Sequence, residues 1–214
     1  MDDDAGQSGL ALVGKRCLDV TGAIVGLVIL SPVLALTAGL TYLESGRPVL
    51  YCAERIGRGG VSFPVFKFRS MRPDADSALH EDRVRKSMLG LATDGAETHK
   101  IVDDPRITRV GRFIRRTSID ELPQLLNVLR GEMSLVGPRP EVPYAVPLYE
   151  EWQLRRFSVL PGMTGLWQVS GRSQLSQLDM LRLDVEYADT WSLRADVRIL
   201  LQTVKPLLGR IGAG

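Results

Sequence analysis

The chain has 214 residues, which fits one domain with an appendage. Its formal charge of +2 is too near balance to announce a nucleic-acid binder, and no nucleic-acid partner is expected. Two cysteines, Cys17 and Cys52, exclude a disulfide framework or a cysteine-based zinc site and point to a reducing compartment. The two histidines, His80 and His99, lie in a polar segment away from the motif-rich regions, so a histidine-activated nucleophile is not in view and carboxylates, lysines and arginines remain.

Residues 1–13 are acidic and then small, and a disordered start is expected. They do not read as a signal peptide, because positive charge arrives only at Lys15-Arg16. Residues 20–43 hold 24 positions without a charge, more than the roughly 20 that cross a bilayer. Ser31-Pro32 sits near the midpoint, and a proline there removes a backbone hydrogen bond and kinks the helix. Each half then spans about 18 Å at 1.5 Å per residue, short of a hydrocarbon core about 30 Å thick. Lys15 and Arg16 precede the run and Arg47, Arg55 and Arg58 follow it, so both flanks favour the cytoplasmic side. We expect a re-entrant helix–break–helix over 14–46, with Ser31 satisfying backbone groups that Pro32 frees. A simple kinked span is the alternative.

Residues 49–51 read as a short strand and 55–60 as a glycine-rich hairpin turn, not a Walker loop, since the lysine and hydroxyl ending is missing. Residues 63–71 alternate apolar and basic, giving a strand with Lys67 and Arg69 on one face, suited to phosphates or lipid head groups. Residues 74–102 read as a helix and a mobile loop, with no chemistry assigned.

Arg106, Arg109, Arg112 and Arg115 recur every three residues, with Arg116 beside the last. Asp120 and Glu121 follow. Ser118-x-x-Glu121 has the form of a capping box and predicts a helix over about 120–130, stopped by Gly131. Pro123 fits only in its first turn. Locally this is either a dipole-complementing acidic pair behind a solvated basic face, or a site where carboxylate, metal ion and phosphate react. Pro138 and Pro140 stiffen the backbone around Arg139 and fix that side chain's direction, or simply make a turn. A helix is expected over 149–157. Residues 161–172 are dense in glycine, allowing close approach to a ligand that Arg172 would clamp. Residues 193–208 form an amphipathic helix for the core or the membrane interface.

Taken in order, Lys15-Arg16-x-x-Asp19, the apolar run broken at Ser31-Pro32, Phe66-Lys67-Phe68-Arg69-Ser70-Met71, Ser118-Ile119-Asp120-Glu121-Leu122-Pro123-Gln124, Val136-Gly137-Pro138-Arg139-Pro140, Pro161-Gly162-Met163-Thr164-Gly165 and Gly171-Arg172 form a specific set. The chain closely resembles the bacterial sugar transferase family, the monotopic phosphoglycosyl transferases, over about 14–208. It resembles their small, catalytic-core form, or a piece of a larger enzyme.

That resemblance implies transfer of a sugar-1-phosphate from a UDP-sugar to polyprenyl (undecaprenyl) phosphate, with release of UMP, at the start of a bacterial glycan pathway. It places the nucleophile on Asp120, with Glu121 as partner acid and Mg²⁺ beside Asp120. Arg115, Arg139 and Arg172 correspond to phosphate- and nucleotide-site arginines, and Lys15 and Arg16 to basic residues at the membrane face. The expected architecture is α+β and mostly helical. It is a monotopic membrane protein with an N-terminal re-entrant helix, a small β-hairpin and interfacial amphipathic helices. A catalytic domain over 47–208, containing the variable 74–102 segment, would face the cytoplasm from the inner membrane, and 209–214 form a tail. Two other readings compete: a glycosyltransferase releasing UDP, and a non-catalytic module gripping anionic lipid through its arginines. The donor sugar, the glycan pathway and the oligomeric state are not fixed by the sequence.

Overall fold

Pro32 shapes the N-terminal helical part of the molecule. In the computed structural model, which describes residues 9–72, 81–82, 85–86, 106–171 and 175–211 (side chains through 203), helix α1 (Gly9–Ile29) and helix α2 (Ser31–Ser45) meet at a bend of 62°. Pro32 has no N–H to offer the carbonyl four residues back. The Ser31 hydroxyl donates to that carbonyl, Val28 O, at 2.8 Å, so the break leaves no orphan there. No single described helix is long and apolar enough to cross a membrane, while the bent pair together meets that length and composition. One side of the pair is an open apolar face, with Val28, Ile29, Leu36 and Leu43 each more than half exposed. Contiguous exposed apolar surface of this kind marks a binding or membrane face.

The opposite side of α1 is built into the protein. Ala23 is fully buried, and Gly22 and Gly26 let the side chains of Leu135 and Leu125 close in; a Cβ on Gly22 would lie 2.5 Å from Leu135 Cδ1. Strands β1 (Leu50–Ile56) and β2 (Ser62–Phe68) form the expected antiparallel hairpin, closed by a 3₁₀ turn at Arg58–Gly60. Helix α3 (Arg109–Thr117) carries the arginine stripe. A 3₁₀ segment (Ile119–Gln124) and helix α4 (Leu125–Arg130) follow, and Gly131 ends α4 in the left-handed region at φ 80°. The main core joins Ala23 of α1, Val65 of β2, Leu125 and Val128 of α4, and Met133.

A second sheet was not visible in the sequence. Strand β3 (Ser134–Val136) pairs in parallel with strand β4 (Gly162–Thr164). Gly137, Gly162 and Gly165 allow it: a Cβ on Gly162 would sit 2.0 Å from Gly137 N, and one on Gly165 2.4 Å from Gly137 O. The glycines at 162 and 165 thus serve backbone packing where close approach to a ligand was expected. Further elements among the described residues are short 3₁₀ turns at Pro143–Leu148 and Arg155–Ser158, helix α5 (Glu151–Leu154), helix α6 (Leu166–Ser170), helix α7 (Gln177–Thr190) and helix α8 (Leu193–Ile211). On α8, Asp196 and Ile199 are buried while Val197 and Leu201 are exposed, so the apolar face splits between core and surface.

Three basic residues expected at phosphates or lipid turn inward. Lys15 Nζ donates to Asp196 Oδ2 at 2.7 Å and to Val136 O at 3.1 Å. Arg16 donates to Val128 O at 2.6 Å and Leu129 O at 2.7 Å, satisfying carbonyls at the negative end of α4. Asp19 accepts from Ser134 Oγ and Leu135 N, both at 2.9 Å. Lys15-Arg16-x-x-Asp19 is therefore an anchor tying α1 to β3, α4 and α8. Arg69, buried, donates to Arg47 O at 3.1 Å and Gly46 O at 2.7 Å, and also to Ser45 O, capping the end of α2. Buried carbonyls need donors, and these three side chains supply them.

Candidate active site

Asp120 is placed by two helix ends. Thr108 caps α3 by accepting from Gly111 N at 2.9 Å, and the Glu44 carboxylate of α2 accepts from Arg109 N at 2.7 Å and Val110 N at 2.9 Å. The end of the apolar pair is thereby fixed to the start of the arginine helix. At its far end α3 stops on Ser118, at φ 60°. Left-handed backbone is uncommon for a residue with a Cβ and collects at functional sites. Ser118 makes no side-chain cap, so the predicted capping box does not form; Glu121 N instead bonds to Ser118 O at 3.2 Å. A 3₁₀ turn replaces the first turn of the expected helix, with Pro123 inside it.

This turn frees the Glu121 side chain for another task. Its Oε1 accepts from Arg139 Nη2 at 2.8 Å and from Lys67 Nζ at 3.2 Å. One carboxylate oxygen therefore gathers a cation from the hairpin and a cation from the Pro138–Pro140 loop beside Asp120, which is only 5% exposed. Glu121 raises the Arg139 guanidinium above its ordinary value against the cost of burial. Burial pushes the Lys67 ammonium down, with Glu121 opposing and Arg139 adding to the shift. Two cations beside a buried carboxylate make an environment ready for phosphate oxygens.

Both cations are held from behind by residues that sequence reasoning missed. Buried Asn127 of α4 accepts from Phe66 N at 3.0 Å and donates to Pro64 O at 2.6 Å, fixing β2 next to Lys67. Arg156, 3% exposed, donates to Arg139 O at 2.8 Å, Asp184 Oδ2 at 2.6 Å, Tyr149 Oη at 2.9 Å and the Glu141 carboxylate. Glu141 also accepts from the Tyr149 hydroxyl. No local spacing signals this cluster, because its members come from the Arg139–Glu141 loop, Tyr149, the 3₁₀ turn at Arg155–Ser158 and α7. Arg115 is half-buried in the last turn of α3, where its carbonyl accepts from Ser118 N at 3.4 Å. Arg172 lies outside the described residues, as do His80, His99 and most of the 74–102 segment. Lys15, Arg16, Ser31, Pro32 and Arg69 belong to the anchor, bend and cap already described. A cavity of about 870 Å³ between α6, α7 and α8, lined by Arg194 and Arg198 among others, shares no residue with the Asp120 cluster.

The profile of the family described as "Bacterial sugar transferase" matches residues 10–210. Over 203 residues the chain is 45% identical to "Galactosyl transferase CpsE" of Streptococcus agalactiae serotype III, covering 94% of this chain and 44% of that protein. It is 43% identical to "Exopolysaccharide production protein ExoY" of Sinorhizobium fredii, covering 90% and 84%. It is 42% identical to "Undecaprenyl-phosphate galactose phosphotransferase" of Salmonella typhimurium, covering 93% and 41%. The chain thus spans less than half of two of these relatives and most of the third. It belongs to the bacterial sugar transferase family.

Proposed function

We propose that this chain transfers a sugar-1-phosphate from a UDP-sugar to polyprenyl phosphate at the cytoplasmic face of the bacterial inner membrane, releasing UMP. The carrying observation is the buried Asp120 carboxylate set beside Lys67 and Arg139, both gathered on Glu121. A relative named as an undecaprenyl-phosphate galactose phosphotransferase supports the same chemistry.

An Asp120 oxygen attacks the β-phosphorus of the donor. The bond from that phosphorus to the bridging oxygen breaks, UMP departs with the electron pair, and an aspartyl phosphosugar remains. A phosphate oxygen of the acceptor then attacks the same phosphorus and regenerates the carboxylate. Phosphate oxyanions need no general base, which suits a site with no histidine among the described residues. Repulsion between anions is the main obstacle, and Lys67 and Arg139 offset it. Among the described residues no three acidic, histidine or cysteine side chains converge, so a cage made of protein alone is absent there. Mg²⁺ binds through one or two carboxylates plus substrate phosphates, and Asp120 fits that role. When bound, the ion would neutralise developing phosphate charge. The bent apolar pair would seat the site at the lipid surface, where a soluble donor and a lipid-borne acceptor meet.

The name of the streptococcal relative, a galactosyl transferase, favours a second reading: glycosyl transfer with UDP as product. The released nucleotide separates the two. Purified protein given a panel of UDP-sugars, Mg²⁺ and polyprenyl phosphate releases UMP on the first reading. UDP in its place would overturn it.

A further inference from the structure

Arg55 lies near the end of β1, and the hairpin register decides which way it looks. Arg55 pairs with Phe63, Ala53 with Val65 and Tyr51 with Lys67. Paired residues of an antiparallel ladder share a face, and alternate residues return to it. Arg55 and Lys67 therefore project from the same side of the hairpin, the side on which Ala53 and Val65 are buried. The next residue docks onto the arginine loop: Ile56 N donates to Glu141 O at 2.8 Å, and Glu141 N to Ile56 O at 3.2 Å. Two residues before Glu141 stands Arg139. The strand end carrying Arg55 is thus tied to the segment carrying Arg139, while Lys67 of the partner strand reaches Glu121.

Charge then distinguishes Arg55 from its neighbours. Lys67 and Arg139 share Glu121, and Glu141 is engaged by Arg156. Among the described residues Arg55 forms no salt bridge; its guanidinium donates to the carbonyl of its own neighbour, Glu54, at 2.9 Å. A half-buried guanidinium beside a second one, with the Glu121 and Glu141 carboxylates engaged by other cations, offers its charge to an incoming anion. Burial and then the nearby Arg139 charge hold Arg55 below its ordinary value, as expected for such crowding. The planar fork of an arginine matches phosphate oxygens two at a time.

We propose that Arg55 is a phosphate-binding residue of the Asp120 site, taking up a phosphate group of either the donor diphosphate or the lipid-borne acceptor. This assignment rests on the phosphosugar-transfer reading and adds a residue from the β-hairpin to it.

The test uses the full chain in detergent, as wild type, Arg55→Gln and Arg55→Lys, with thermal unfolding confirming that each folds. Removing a charge-assisted contact of this kind raises KM for the substrate concerned about tenfold or more, and the lysine variant recovers part of that loss. If the donor is the source, formation of the phosphosugar adduct without acceptor also slows. If the acceptor is the source, adduct formation is unchanged and only its discharge slows. KM values within about twofold of wild type for both substrates in Arg55→Gln overturn the assignment. Should that variant not fold, Arg55→Met takes its place, and unchanged KM values in it overturn the assignment equally. A readout free of catalysis is the affinity for inorganic pyrophosphate with MgCl₂ by calorimetry, expected to weaken about tenfold in Arg55→Gln. If the wild type forms no adduct and releases no UMP, the transfer reading fails on its own, and the pyrophosphate comparison still decides whether Arg55 binds phosphate.

Discussion

Glu121 is the residue around which the site's charges are arranged. Its Oε1 holds both Arg139 and Lys67, so its substitution releases two cations together. Glu121→Gln is expected to lower kcat/KM for UMP release by about a hundredfold, because a neutral amide no longer fixes either cation where phosphate charge develops. Activity within a few-fold of wild type would show that the two cations find their places without it. Arg139→Lys is milder in charge and harsher in geometry. A lysine keeps the positive charge but loses the planar fork, and kcat/KM falls about tenfold with little change in unfolding temperature. Steady-state kinetics beside a melting curve separate the two effects.

At the scale of elements, the turn carrying Asp120 depends on supports remote in sequence. Arg156 offers one positive charge to two acids. Glu141, with the Tyr149 hydroxyl and Val142 N–H as further donors, ends below the ordinary carboxylate value although burial raises it. Burial instead pushes Asp184 up to about 6 against the pull of Arg156. The unfolded chain releases the Asp184 proton near pH 3.9, so from about pH 4 to 6 the native state binds it more tightly and this contribution to stability falls as pH rises. Asp184→Asn removes that slope. The melting midpoint of the variant relative to wild type should therefore climb between about pH 4 and 6, and a flat difference would count against a raised Asp184. Elements built on local periodicity were legible in the sequence: the hairpin, the break at Ser31-Pro32, the stop at Gly131. The parallel β3–β4 pair was not, because three-residue strands have no periodicity and the glycines that allow their approach resemble a ligand loop. The capping box failed for a related reason. Its four residues fit the pattern, but Ser118 takes a left-handed turn that sends the Glu121 side chain to Arg139 and Lys67.

Across the whole molecule, α1 belongs at once to the apolar pair and to the body built of β3, α4 and α8. Lys15 bridges α1, Val136 of β3 and Asp196 of α8, and Asp196 also accepts from the Tyr187 hydroxyl at 2.6 Å and Trp191 Nε1 at 3.1 Å. A sequence shows a basic pair beside an apolar run and invites a membrane-face assignment; only the fold reveals the buried carboxylate that Lys15 meets. Lys15→Ala leaves that carboxylate without its cation and should cost about 3–5 kcal/mol of stability, read as lost folded protein in melts. A fully folded variant with altered acceptor KM would return Lys15 to the membrane face. The 62° bend makes a topological prediction as well. In a cysteine-free background, a cysteine at Leu10 should resist an impermeant maleimide on spheroplasts and react after permeabilisation. Labelling from outside would mean that the pair crosses the bilayer. The central claim is that the buried Asp120 carboxylate is the nucleophile, and it is tested most directly by intact-protein and peptide mass spectrometry. The detergent-solubilised chain is exposed briefly to UDP-sugars with Mg²⁺ and no acceptor. The expected result is a phosphosugar mass on the peptide containing Asp120, lost on adding polyprenyl phosphate and absent from Asp120→Asn. UMP release that requires acceptor, with no adduct under any donor, would contradict it and leave direct transfer in its place.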